Sequence, residues 1–318
     1  MSVYSHVLFA IVPLFALILF GYVAKKTRLL HVTDAPVLNR FVISISLPAF
    51  VFHAVLAHRL RPELVQLPFL FWAGDLLLLG IGLTVAGLLR WPKPATGTLV
   101  LQTLFGNTGY LGYPICTAIL PARLPAAVII DQLGMSMGLY PGGPILGSIY
   151  GTSKSPKSFA KTFSFAKSPV FITLIVAILL RLLPPSLVPQ NAALLVVGKL
   201  FMQVVALIGG VTVPVVLIAI GLLLRPSSLA EHGSKVAVLG LLKLIALPVI
   251  VWSLAKFLFH IHGDMLEICV LQAAMPPSAM ATVFSGQYDL DSNLAIASFF
   301  ALTVVSAATL PLMIGLLR

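Results

Sequence analysis

Charge is what this sequence has least of. Asp, Glu, Lys and Arg together make up 9% of its 318 residues, and only nine side chains are acidic. A soluble domain carries roughly a quarter charged residues and is about half apolar, whereas this chain is 59% apolar. So few charges cannot cover a globule in water, and most of the surrounding solvent must be lipid. Cysteine is scarce too. Cys116 and Cys269 are the two present, and both fall inside apolar segments, which argues against a disulfide framework and leaves no thiol pair at metal-ligand spacing. The pair His260-x-His262 has no third ligand and is not read as a metal site. Neither H-E-x-x-H nor an Asp-rich diphosphate motif is present, so the chain is not expected to be an enzyme or to carry a cofactor. The opening "MSVYSHVLFAIVPLFALILFGY" has no basic n-region and no small-residue cleavage site, and reads as a first membrane span.

What the chain does have is length of apolar segment. About ten spans of roughly 20 residues can be drawn, near 3–24, 33–57, 66–90, 96–120, 125–151, 168–183, 194–224, 235–259, 264–287 and 292–317. The stretch 194–224 is too long for one untilted helix. The net charge of +11 comes from basic residues between these spans, a pattern that positive-inside topology explains without a nucleic-acid partner. Lys25, Lys26, Arg28, Arg90, Lys93, the lysines of 152–167, Arg225 and Lys235 fall on one side, against Arg59, Arg61, Arg123, Arg181 and Lys256 on the other. The richer side is expected to be cytoplasmic, with both termini outside an inner (plasma) membrane. The basic, Ser-rich connector 152–167 divides the chain into repeats at 1–151 and 168–318; it reads equally as a segment lying on anionic lipid and as a solvated link.

The halves resemble each other. Val100-Leu101-Gln102 has a counterpart in Val270-Leu271-Gln272, and Leu47-Pro48 in Val213-Pro214, at offsets close to 168 residues. Five spans per half is an odd number, so the second copy must enter the membrane from the opposite face. The expected fold is an all-α integral membrane protein of about ten helices in two inverted five-helix repeats.

Within that pattern "FGNTGYLGYP", 105–114, interrupts the fourth span, and Met275-Pro276-Pro277-Ser278 interrupts the ninth. Glycine and proline free backbone N–H and C=O groups from the helical ladder. Such groups are tolerated at membrane depth only against protein or a watery cavity. Half-helix N-termini carry orphan N–H donors and partial positive charge that attract anions. Paired breaks at equivalent positions of an inverted repeat therefore point to a transport site, with Asn107, Thr108, Gly109, Tyr110, Pro114, Pro276, Pro277 and Ser278 as candidate substrate-binding residues. Pro48 and Pro214 read as kinks elsewhere in the bundle.

The motif Asn107-Thr108-Gly109-Tyr110-Leu111-Gly112-Tyr113-Pro114 resembles the N-x-G-[FY]-x-G-x-P signature of the auxin efflux carrier family, and "AAMPPSAMATVFSGQYDLD" is similar to its ninth-span motif. The resemblance covers the whole chain. It implies a secondary carrier of a small organic anion, a mono- or dicarboxylate such as malonate or malate, with spans 4 and 9 crossing in a part that moves elevator-fashion against spans 1, 2, 6 and 7. Pro277-Ser278-Ala279 offers no amide where some members have Asn. An intramembrane enzyme, and a channel or sensor on the same fold, are the alternative readings.

Asp75, Asp131 and Lys243 lie within spans, where an ionisable side chain is expected to face the protein interior. Asp75 and Lys243 are 168 residues apart, the repeat spacing. Plant members of the family have an Asp in the third span with a Lys one turn later; Asp75 matches the Asp, but Leu79 stands in place of the Lys. Asp131-Gln132 matches a polar step of bacterial members. These four residues are candidates for coupling or support. Proton exchange through Asp75 or Asp131 and a structural hydrogen bond between helices are both open, as are sodium coupling and a homodimer. The lone His53 reads as a packed or interfacial residue.

Single cysteines beside Arg59 or Arg123 are expected to react with an impermeant maleimide in intact cells, and cysteines within 154–167 only after permeabilisation. Labelling of the connector in intact cells overturns the orientation.

Overall fold

In lipid a backbone must satisfy its own hydrogen bonds, which for a chain of this composition means helices. The computed structural model describes residues 3–58, 60–152, 164–184, 191–224 and 232–317. Among these there is no strand, and the one isolated β-bridge pairs Gly106 with Pro277. The helices run in order α1 Val3–Lys26, α2 Val32–Ala57, α3 Pro62–Leu88, α4 Lys93–Leu104, α5 Gly112–Ile119, α6 over 124–150, α7 Pro169–Leu182, α8 Ala192–Gly210, α9 Thr212–Leu223, α10 Gly233–Leu258, α11 Gly263–Ala273, α12 Ala279–Gln287 and α13 Ser292–Leu317. Among the described residues six stretches are long and apolar enough to cross a membrane: α1, α2, α3, α8 with α9, α10 and α13. The fourth and ninth expected spans are each two short helices, α4 with α5 and α11 with α12, broken where the sequence places its Gly and Pro clusters.

Proline accounts for two of the four π-turns among the described residues. It lacks an N–H, and its ring presses on the carbonyl four residues back; a widened turn relieves both. In α2 a π-turn over Val42–Ser46 leads into Leu47-Pro48, and in α10 one over Leu241–Ala246 leads into Leu247-Pro248. The long stretch 194–224 resolves into α8 and α9 with a break at Val211. Pro214 falls in the first turn of α9, where its missing N–H has no helical partner to lose.

The chain forms two compact units, one from Met1–Phe15, Glu63–Ser164 and Leu224–Arg318, the other from Ala16–Pro62 and Phe165–Leu223. Each draws on both halves of the sequence, so packing cuts the chain differently from the connector. Most of that connector, 153–163, lies outside the described residues, as do Arg59 and Arg225. In the second unit α1 and α9 approach backbone to backbone. A Cβ on Gly21 would overlap the carbonyl oxygen of Ile218, and one on Gly221 that of Ile18. Small residues let helices meet this closely in lipid, where packing rather than water exclusion drives association.

Gly221→Leu is therefore expected to cost about 1–3 kcal/mol or more and to lower the melting temperature in detergent. Gly80→Ala in α3, where an added Cβ meets nothing within 4 Å, is expected to leave it unchanged or slightly higher. Equal melting temperatures would contradict the close crossing.

Candidate functional site

Two broken chains meet in the first unit. The Asn107 N–H donates to the Pro276 carbonyl at 2.7 Å, and the Ser278 N–H donates to the Phe105 carbonyl at 2.9 Å. These bonds flank the antiparallel bridge between Gly106 and Pro277. Gly106 and Pro277 thus face each other as the close pair of an antiparallel ladder that exchanges no bond of its own, so the missing N–H of Pro277 costs nothing there. The two breaks that the sequence marks are thus paired with each other through their backbones.

Beyond the bridge the chain turns directly into helices. The Asn107 carbonyl accepts from Leu111 N–H at 3.1 Å and Gly112 N–H at 3.0 Å, which starts α5. Pro114 is buried in the first turn of α5, where no N–H is required of it. On the other chain Ser278 Oγ accepts from Met280 N–H at 3.2 Å and caps α12. The N-terminal ends of α5 and α12, both partially positive, therefore lie next to the crossing in sequence and in space.

Asp131 organises the turn after the bridge. It receives Thr108 Oγ1–H at 2.5 Å on Oδ1, and Tyr113 O–H and Gln132 Nε2–H, each at 2.7 Å, on Oδ2. A Cβ on Gly109 would stand 3.1 Å from the same carboxylate, so glycine there lets the turn lie against it. Asp131 and Gln132 sit in a π-turn of α6, Ile130–Ser136, which advances them toward the crossing. Tyr110 is half-buried on the same turn. With three donors on one buried carboxylate, the structural reading of Asp131 is the one the geometry favours; Tyr113 joins the site as a residue the sequence did not single out.

Lys243 approaches from the other side. It is fully buried in the π-turn of α10, and its ammonium donates to the Leu104 carbonyl at 3.5 Å, the negative C-terminal end of α4. A Cβ on Gly106 would lie 3.0 Å from Lys243 Nζ, so glycine lets the ammonium rest close against the crossing. Lys243 and Asp75 interact electrostatically without forming one of the ion pairs within 4.0 Å among the described residues. The half-buried Asp75 keeps Oδ1 shut away from solvent and without a hydrogen-bond donor. Pro48 and Pro214 belong to the second unit and take no part in the crossing.

What the crossing offers a ligand is a set of unused polar atoms. Asn107 is 4% exposed, and its Nδ2 has no acceptor. Gln272, fully buried in α11, has neither amide atom paired, and it lies against Gly112 of α5. Its sequence counterpart Gln102 in α4 donates to Thr282 Oγ1 at 3.0 Å in α12 but leaves its own oxygen unpaired. Each glutamine before one break therefore reaches the helix after the other. In the sequence they stand out as repeat markers; an amide inside an apolar span is the signal that also marks them as part of the site. Each buried amide atom left unpaired costs about 1–3 kcal/mol, and such groups concentrate where a protein binds something.

The letters of a hydrolase motif also occur, at Gly134-Met135-Ser136-Met137-Gly138. That motif works only on a strand-to-helix elbow; here it spans the end of a π-turn inside α6. Among the described residues no three His, Cys, Asp or Glu side chains group as metal ligands.

Residues 6–160 and 159–314 match the family described as "Membrane transport protein". The chain is also similar to an uncharacterized transporter of Methanocaldococcus jannaschii, 26% identical over 301 residues covering 93% of this chain and 94% of the relative. A second uncharacterized transporter, from Methanothermobacter thermautotrophicus, is 25% identical over 305 residues and 95% of each chain.

Asp131→Ala strands three buried donors and is expected to destabilise the protein by about 2–4 kcal/mol, read as a lower melting temperature in detergent. Thr84→Ala, at an exposed position of α3, is expected to shift it far less. Equal shifts would contradict the organising role of Asp131.

Proposed function

Because the chain belongs to the membrane transport protein family, that of the auxin efflux carriers, we propose that it is a secondary carrier of a small organic anion, a mono- or dicarboxylate, held at the crossing of α4–α5 with α11–α12. The observation that carries this reading is Asn107. Its amide nitrogen is buried, unpaired, and set beside the start of α5. An amide donates to a carboxylate without adding charge, while two helix N-termini and the nearby Lys243 ammonium supply a positive surrounding. Thr108 and Tyr110 shape the turn that presents Asn107. Gln272 is a second donor of the right kind. Asp131, already committed to three donors, holds the turn in place, which leaves Asp75 as the better candidate for exchanging a proton during transport.

The motion that fits this site is alternating access by elevator, in a ten-span inverted repeat whose crossing helices travel with the first unit. Its support is the partition of the packing itself. Of the parts expected to stay fixed, α2, α7, α8, α9 and α1 from Ala16 onward fall in one compact unit, while α1 up to Phe15 falls in the other together with the whole crossing.

The test begins with a thermal-shift screen of purified protein against small mono- and dicarboxylates, including malonate and malate. Calorimetry then compares the best ligand on wild type, Asn107→Ala and the exposed control Thr84→Ala. Loss of one hydrogen bond to a charged group is expected to cost Asn107→Ala about 1.5–3 kcal/mol, roughly ten- to hundred-fold in affinity. Its melting temperature is expected to change little, because Nδ2 makes no bond within the protein. Equal affinities for all three proteins would place the site elsewhere.

A further inference from the structure

Two glutamines occupy matching places in the repeats, and the protein supplies a partner to one of them. Gln102 of α4 and Gln272 of α11 are 170 residues apart. The positions they reach are separated by the same interval, Gly112 at the start of α5 and Thr282 in α12. Gln102 Nε2 donates to Thr282 Oγ1 at 3.0 Å. At the equivalent contact Gly112 has no hydroxyl to offer, and a Cβ there would overlap Gln272 Oε1. Gln272 is fully buried, with Oε1 and Nε2 both unpaired. Glycine at 112 thus admits the amide to the start of α5 and leaves it without the partner that its counterpart has.

An amide with both atoms free selects its ligand by geometry. The oxygen accepts and the nitrogen donates, side by side in one plane. An ionised carboxylate has acceptors alone and would set an oxygen against Oε1. A hydroxyl engages one of the two atoms. A protonated carboxyl engages both, its O–H donating to Oε1 and its C=O accepting from Nε2. Asn107 differs, because it presents an unpaired donor, Nδ2, which suits the ionised form. The two side chains border the same residue. Gly112 N–H donates to the Asn107 carbonyl at 3.0 Å, and the Gln272 amide rests on Gly112 from the other broken helix. A short diacid is long enough to bridge one residue.

We propose that Gln272 binds the protonated carboxyl of a dicarboxylic acid whose ionised end lies on Asn107, so that the substrate is a hydrogen dicarboxylate, a monoanion. This rests on the carrier reading of the crossing and adds the protonation state of its ligand. Charge agrees with it. At the crossing the buried Lys243 is the cation, set against the buried Asp131 and the half-buried Asp75, so one further negative charge is better matched than two. The elements packed against α11 bring other titratable groups: Tyr113 and Cys116 of α5, Lys256 of α10, and Arg123, which pairs with Asp264 at 3.4 Å. Glu267 and Cys269 belong to α11 itself. The proton crosses the membrane on the substrate, independently of any exchange at Asp75.

The experiment is calorimetry of the purified protein with malonate, its monoamide malonamate and its monomethyl ester, in buffers of different ionisation heat. Malonate is expected to bind with uptake of about one proton, its affinity falling about ten-fold for each pH unit above the acid's second pKa. Malonamate carries a neutral donor and acceptor at that end, and is expected to bind without proton uptake, which also controls for titration of the protein's own groups. The ester accepts but cannot donate, and is expected to bind about ten-fold more weakly than malonamate. Gln272→Met keeps the volume and loses no bond within the protein, so its melting temperature is expected to be unchanged or higher. It is expected to bind amide and ester alike and to take up no proton with malonate. Unchanged malonate affinity in Asn107→Ala would remove the carrier site and this inference with it. Malonate bound through Asn107 without proton uptake, or a preference for amide over ester that survives Gln272→Met, overturns this inference alone. So does failure of all three ligands to bind.

Discussion

Everything at the centre of this molecule depends on two hydrogen bonds, Asn107 N–H to Pro276 and Ser278 N–H to Phe105. They join two interrupted helices without a sheet, in a setting where open strand edges are otherwise excluded. The prolines fix their register. Sliding the second chain so that Pro276 faced Gly106 would call on the N–H of Pro277, which does not exist. Gly106 completes the arrangement, because a Cβ there would press on the Lys243 ammonium at 3.0 Å. A bridge of one residue pair is weak alone, and it is held by what surrounds it: Asp131 on the turn after Asn107, Lys243 at the end of α4, and the Ser278 cap on α12.

The electrostatic logic follows from the breaks. Interrupting a helix exposes a positive N-terminus and a negative C-terminus within one turn of each other. Here the negative end of α4 is met by a resident cation, the Lys243 ammonium. The positive ends of α5 and α12 face the crossing without a carboxylate of their own, since Asp131 spends its acceptor capacity on Thr108, Tyr113 and Gln132. On the proposed reading this imbalance is what draws an anion, and the unpaired Asn107 amide is its directional contact. Retaining such a set of polar groups in a chain with 9% charged residues is costly, and transport chemistry is a reason to keep it.

Much of this was legible in the sequence, because glycine and proline act locally. "FGNTGYLGYP" and "AAMPPS" mark the breaks without reference to anything distant, whereas 194–224 reads as one overlong span and its interruption at Val211 emerges only in the structure. What was not legible depends on contacts between elements. Nothing in the spacing of Asp131 shows that three donors converge on it. The π-turns that carry Asp131 and Lys243 arise from packing and from the Pro248 ring, and periodicity alone gives an ordinary helix. Lys243 and Asp75 could be recognised as repeat-related, but not as electrostatic partners.

The central claim is that the crossing is the anion site. The most direct measurement is a structure of the purified protein with a saturating concentration of the carboxylate that most raises its melting temperature. The account predicts carboxylate density beside the Gly106–Pro277 bridge, with an oxygen within about 3 Å of Asn107 Nδ2 and no displacement of Asp131 from Thr108 and Tyr113. A carboxylate bound away from the bridge, with the Asn107 amide still unpaired, would contradict it.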